Sequence, residues 1–160
     1  MSAGAPLAAS ALRVQAALDA LGLDARVREL AVPARTAQEA ADALGVPVGA
    51  IAKSLVFRAP AAGAVMVVAA GDRRVDEARI GAALGEPIRR ADPAFVREAT
   101  GYAIGGIPPL GHATPVVLFV DDSLARFETV WAAGGTPHAV FPIAPAALFA
   151  LPGARTLPAG

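Results

Sequence analysis

A single mixed α/β domain is the fold class the sequence predicts, on three observations. The chain has 160 residues, 55% of them hydrophobic and 18% charged, enough to bury one core and short for two. Segments with helix-capping residues at their ends alternate with apolar runs of strand length. Glycine and proline punctuate these segments throughout, with 16 and 14 copies, so the elements are short and the turns tight.

The elements follow in order. Leu12, Leu18 and Leu21 lie near helical spacing and Gly22 is a stop, which predicts a helix over residues 8–21. Arg26, Val27, Arg28 and Leu30 alternate as a short strand. Thr36 and Glu39 form a capping box for a helix from Ala37 to Leu44, closed by Gly45. Ser54 to Phe57 has strand composition and, across a turn at Pro60 to Gly63, pairs as a hairpin with the apolar run Ala64 to Ala70. Asp72 or Asp76 caps a helix through Ile80 and Leu84 to Gly85, and Asp92-Pro93 starts another that closes at Gly101. Pro115 opens a strand from Val116 to Val120, which Asp121-Asp122-Ser123 ends. Phe127 to Trp131 alternates weakly before the Gly134-Gly135 turn, and His138 to Phe141 is a last strand. Ala144-Pro145 starts a short helix through Leu148 and Leu151, and residues 152–160 are expected to fray.

Composition excludes several classes of function. The absence of cysteine removes disulfides, thiolate nucleophiles and Cys-based zinc sites. Formal net charge is zero, so no global field gathers polyanions and any nucleic-acid contact has to come from a local patch. Met1 to Ala11 has neither a basic leader nor a sustained apolar core, and no run approaches the ~20 apolar residues that span a bilayer. A soluble cytoplasmic protein with no membrane partner is the expectation.

Two stretches carry the candidate chemistry. Lys53 is the only lysine among 14 basic residues, and period-2 alternation places it on the face of Leu55 and Phe57. Two readings stand: it snorkels to water from a strand start, or it lines a concave site as a compact point charge for a phosphate or carboxylate. Gly101-Tyr102-Ala103-Ile104-Gly105-Gly106-Ile107-Pro108-Pro109-Leu110-Gly111-His112 describes a stiff loop, either a tight connection or a wall that lets a ligand reach the backbone. It lacks the glycine order of a nucleotide-phosphate loop. His112 and His138 lack metal-ligand spacing, so neither metal nor cofactor is expected. Ser54 adjoins Lys53 but points to the opposite face of a strand, which argues against a Ser-Lys dyad and leaves water as the nucleophile. Arg73, Arg74, Arg89 and Arg90 read as solvated surface, although the first pair precedes a helix whose N-terminus favours anions. A rival reading makes residues 36–58 a helix-turn-helix DNA reader; few base-edge donors and the neutral charge weigh against duplex DNA.

Taken together, Ile51-Ala52-Lys53-Ser54-Leu55-Val56-Phe57, Gly101-Tyr102, the run Gly105 to Gly111, Phe119-Val120-Asp121 and Ala133-Gly134-Gly135 resemble the YbaK/EbsC family, free-standing relatives of the prolyl-tRNA synthetase editing domain. The resemblance covers roughly residues 10–150 of a single domain spanning 1–160. It implies a curved, mostly antiparallel, barrel-like sheet flanked by helices, and trans-acting hydrolysis of the ester of a mischarged tRNA. It implies that Lys53 holds the tRNA 3′ end and the ester, with Gly101, Tyr102, Gly105, Gly106, Ile107, Pro109, Gly111, His112, Asp121, Gly134 and His138 around the substrate. The implied partners are the aminoacyl-tRNA acceptor end and an aminoacyl-tRNA synthetase. Thr136-Pro137-His138-Ala139-Val140 departs from relatives that remove cysteine, so alanine, serine, threonine and other small amino acids stay open, as does a non-catalytic binding module of the same fold.

Overall fold

The computed structural model describes residues 7–160, so Met1 to Pro6 of the N-terminal stretch read above lie outside the described residues. One eight-stranded sheet organises the chain, in the order β1-β7-β6-β2-β3-β5-β8 with β4 also on β2. The strands are β1 (Arg28–Glu29), β2 (Ile51–Ala59), β3 (Gly63–Ala70), β4 (Arg89–Arg90), β5 (Val117–Asp121), β6 (Val130–Ala133), β7 (Ala139–Ile143) and β8 (Arg155–Leu157). The helices are α1 (Ala9–Ala20), α2 (Ala37–Leu44), α3 (Glu77–Leu84), α4 (Pro93–Thr100) and α5 (Pro145–Phe149).

Pairings β1–β7, β2–β3, β2–β4 and β6–β7 are antiparallel, and β2–β6, β3–β5 and β5–β8 are parallel. The sheet is thus mixed. Its path ends at β1 and β8, which do not pair, so the barrel-like sheet implied by the resemblance is here an open one.

β3 is the spine. Every residue from Ala64 to Ala70 is buried, as an unbroken apolar strand between two partners requires. Met66, Val68 and Ala70 face a core shared with Val14 and Leu18 of α1, Val96 of α4 and Phe141 of β7. Val65, Val67 and Ala69 face a second one with Phe57, Ile80 of α3 and Phe119.

The helix caps form as the sequence dictates. Thr36 accepts from the Glu39 amide at 3.1 Å and Glu39 accepts from the Thr36 amide at 3.2 Å, and Gly45 takes a left-handed φ of 69°. Asp76, not Asp72, caps α3 through the Arg79 amide at 3.1 Å, and Asp92 caps α4 through the Phe95 amide at 2.8 Å.

Three expectations are corrected and one rival reading is removed. α1 buries Ala11, Val14 and Leu18 while Leu12 and Leu21 are exposed; in an alanine-rich helix the small residues let the axis lie close to the sheet, and of the three leucines only Leu18 marks the core face. Phe127 closes a 3-10 helix over Asp122–Arg126, so β6 starts only at Val130. Residues 152–160 are not frayed: β8 covers the outer edge of β5, Ala159 is fully buried, and Arg79 donates to the carbonyls of Pro158 and Gly160 at 3.2 Å each. Finally, residues 51–59 are a strand, which removes the recognition helix that a helix-turn-helix reading needs. Among the described residues no helix is long and apolar enough to cross a membrane.

Candidate active site

β2 has two unequal edges. Toward β3 it is paired continuously from Ala52 to Ala59. On the other edge β6 pairs only with Ile51 and Ala52, and β4 only with Phe57 and Arg58. Among the described residues Lys53 to Val56 therefore have no strand partner on that edge. Because Gly71 N–H donates to the Ile51 carbonyl at 2.8 Å, alternation turns the main chains of Lys53 and Leu55 toward β3 and those of Ser54 and Val56 into the gap.

Two cavities meet at this gap, sharing a wall of Lys53, Ser54, Leu55, Ile104 and Ile107. The smaller, about 260 Å³, is mostly apolar and bordered by Ile51, Ala52, Trp131, Ala132, Pro137 and Val140, with Thr36, Arg35 and Thr136 as its polar groups. The larger, about 600 Å³, is bordered by Arg73, Arg74, Arg90, Asp72 and Glu77. Ser54 Oγ, in the shared wall, is buried without a hydrogen-bond partner among the described residues, which is costly unless something supplies one.

Lys53 is half-buried, and that burial holds its pKa below the usual lysine value while Asp72 and Asp121 pull it back up. Neither carboxylate is free to act as a base beside it. Asp72 accepts two bonds from Arg126, at 2.8 and 2.9 Å, and that bonding lowers its pKa. Gly49 makes room for this pair, since a Cβ there would lie 2.9 Å from Asp72 Oδ2. Asp121 is buried and accepts the Ala70 and Ser123 amides at 3.0 Å each. The two acids thus favour the ammonium through their charge rather than by taking its proton.

The glycine-proline loop divides into a working end and a braced end. Gly105 and Ile107 border the smaller cavity and Ile104 and Ile107 border both. Gly106 locks this end down: its carbonyl accepts the Gly135 amide at 2.9 Å, and a Cβ on it would lie 2.7 Å from Thr136 Cα. The remainder is scaffold. Arg13 donates to the Gly101 carbonyl at 3.0 Å and lies 4.7 Å from the centroid of the buried Tyr102 ring. His112 Nε2 donates to the Pro108 carbonyl at 2.7 Å, and burial lowers its pKa, so the ring is a neutral strut. Pro109, Gly111 and His112 border a separate groove against α1.

Of the residues singled out in the sequence, Lys53, Gly105 and Ile107 thus border the cavities and Gly106 positions them. Gly101, Tyr102, Pro109, Gly111 and His112 hold the loop from behind. Gly134 packs on Val27 and Ala139. His138 is exposed and borders neither cavity; its carbonyl accepts the Leu30 amide. Sequence reasoning missed Ser54 as a wall residue, and also Thr36, Trp131, Thr136 and the arginine-lined side. The sole tryptophan was the available signal for one of these. The others depend on which strands become neighbours. Among the described residues no group of three or more His, Asp or Glu side chains gathers at metal-binding distance.

Comparison with known proteins gives consistent results. A family model for the aminoacyl-tRNA editing domain matches residues 31–151. The chain is 36% identical over 119 residues to the uncharacterized protein YwhH of Bacillus subtilis (strain 168), covering 74% of this chain and 76% of that one. It is similar to the crystal structure of a proposed trans-editing enzyme for prolyl tRNA synthetase, with TM-score 0.90, 46% identity, and 96% and 98% of the two chains covered. It is also similar to the crystal structure of hypothetical protein APE2540, with TM-score 0.85, 34% identity, and 91% and 97% covered.

Proposed function

The chain belongs to the aminoacyl-tRNA editing domain family, and from that premise we propose that it is a trans-acting deacylase that hydrolyses the ester between a small amino acid and the 3′-terminal adenosine of a tRNA. The observation that carries this reading is a half-buried ammonium, Lys53, at the junction of an apolar chamber and a cationic one. An aminoacyl ester has that polarity: a side chain on one side of a carbonyl, a nucleotide on the other.

The chemistry divides among named groups. The chamber of about 260 Å³ takes the aminoacyl side chain against Ile51, Trp131 and Val140, a volume and lining suited to a small residue. Lys53 stands where the carbonyl oxygen gains charge as water adds, and a fixed cation in a partly dry site stabilises that charge more than water does. The gap-facing amides of Ser54 and Val56 are backbone donors that need no reorganisation. With Asp72 and Asp121 committed to other partners, attack falls to a water oriented by backbone groups and by the substrate's own amine or hydroxyl. As the ester C–O bond breaks, the ribose oxygen leaves and takes a proton from that water, releasing free amino acid and intact tRNA.

Similarity to a proposed prolyl-tRNA trans-editing enzyme makes tRNA for proline the first substrate to try. The test incubates the purified chain with tRNAs charged with alanine, serine, threonine, cysteine and proline and follows ester loss, beside Lys53→Ala. Loss of one or two small amino acids, abolished in the variant, is the expected result. Persistence of every ester, or equal rates in the variant, overturns the proposal.

A further inference from the structure

We propose that the larger cavity is a phosphate trough in which Arg74 and Arg90, with Arg73 and Lys53, grip the sugar-phosphate backbone of the unpaired 3′ strand leading to the acylated nucleotide. The proposal rests on the preceding reading of acylated RNA as substrate and adds the surface that holds the RNA.

Charge is the first argument. The chain as a whole is neutral, with 14 basic and 14 acidic residues, yet four cations and only two carboxylates border this cavity. One of those carboxylates, Asp72, is already engaged by Arg126 at 2.8 Å and sits 4.0 Å from Arg73. The local excess is positive in a protein that shows none globally.

The state of the arginines is the second. Arg13, Arg28, Arg58, Arg126 and Arg155 each stack on an aromatic ring. Among the described residues Arg74 and Arg90 do not: they have no ring, no carboxylate and no hydrogen-bond acceptor, and both are exposed at the cavity wall. An unpartnered guanidinium keeps its full fork of donors for a phosphate.

Position is the third. β4 is two residues laid against Phe57 and Arg58, just past the open stretch of β2. Alternation sends Arg89 and Arg90 to opposite faces, and only Arg90 borders the cavity. Arg73 and Arg74 follow the end of β3 on the other side. The cations thus flank a trough of about 600 Å³, within the ~300–1,000 Å³ of small-ligand sites. It opens onto Lys53, where the ester is read. Arginines around a backbone read charge rather than base identity, so the grip is independent of sequence.

The experiment measures binding rather than turnover. A fluorescently labelled RNA stem with a short single-stranded 3′ tail, and the same stem blunt-ended, are titrated with the full chain from about 50 to about 200 mM salt. The tailed RNA should bind more tightly than the blunt one and weaken with salt. Arg74→Ala and Arg90→Ala should each weaken it roughly three- to ten-fold and reduce the salt slope by about 0.7, while Arg89→Ala matches the wild type. Variants with wild-type affinity and slope overturn the trough, as does a wild type that binds neither RNA or both equally. Ester cleavage with unaffected arginine variants refutes the trough and spares the deacylase; arginine-dependent binding without cleavage of any ester does the reverse.

Discussion

The two edges of β2 are made from the same nine residues and differ in everything that matters. The edge toward β3 is fully laddered from Ala52 to Ala59, and the strand beyond it is buried on both faces. The opposite edge is laddered only at Ile51–Ala52 and Phe57–Arg58, and the unpaired stretch between lies where the two cavities meet. Neighbour length makes the difference. β6 ends at Ala133, where Gly134-Gly135 turns the chain away, and β4 is two residues long. An internal gap escapes the aggregation hazard of an open sheet edge because neighbours at both ends and the Ile104–Ile107 loop hem it in. Stability and ligand access are thereby assigned to opposite edges of one strand.

The largest expected effect is on the paired side. Met66, fully buried and paired with Val56, should cost about 2–5 kcal/mol of stability as Met66→Ala, read by denaturant unfolding, with kcat of the remaining folded protein unchanged. On the open side Lys53→Ala should do the opposite, lowering kcat by about 10²–10³ with a near-native unfolding midpoint. If Lys53→Ala unfolds the chain, the division between the edges collapses.

Titration sharpens the same contrast. The folded pKa of Lys53 lies below the ordinary lysine value of 10.5 that the unfolded chain regains. Between those two values the folded state binds fewer protons than the unfolded, so stability rises with pH across that window; below it, the cost of desolvating the ammonium is fully present. Lys53→Met should lose this rise in a series of melts over alkaline pH. Activity runs the other way in the wild type, falling as the ammonium deprotonates.

How much of this was legible in the sequence follows from how local each determinant is. The capping box of α2, the Asp92-Pro93 start of α4 and the β2–β3 hairpin depend on residues a few positions apart, and each formed where expected. The parallel partners β5 and β6 and the tail strand β8 depend on chain crossovers that no short pattern encodes, so the gap in β2 was invisible. The loop from Gly101 to His112 was readable as rigid but not as divided. Glycines that admit a ligand and glycines that admit another piece of chain look alike: Gly106 admits the backbone of Thr136, and at Gly111 an added Cβ would lie 2.9 Å from Ala17 Cβ. The isolated ammonium on an apolar strand face and the stiff Gly105-to-Ile107 end of the loop were the site signals that local reading isolated.

Intermediate effects should come from the hinge between the two halves of the site. At Gly106 an added Cβ meets Thr136 Cα at 2.7 Å and its amide nitrogen at 2.8 Å, backbone atoms that cannot rotate aside. Gly106→Ala should therefore cost about 1–3 kcal/mol of stability by overpacking and also lower activity, because the shift moves Gly105 and Ile107 at the cavity wall. Both losses in one variant would mark the loop as the mechanical link between the edges, whereas Gly101→Ala, at a left-handed φ of 83° behind the loop, should lose stability with less change in kcat.

The smallest change asks whether the open edge is built for a ligand at all. Ser54 Oγ is buried with no partner among the described residues, a group whose desolvation costs about 1–3 kcal/mol when nothing answers it. If the hydroxyl waits for the substrate, Ser54→Ala should leave the melting temperature unchanged or raise it slightly, since an unsatisfied dipole is removed and only one atom of packing is lost. Catalysis should fall by roughly ten-fold, the value of about one hydrogen bond to the bound ester. If the hydroxyl instead serves the fold, the variant melts earlier at unchanged kcat/KM. The paired edge offers no counterpart for this experiment: the β3 residues there are apolar and buried, so truncating them moves stability alone.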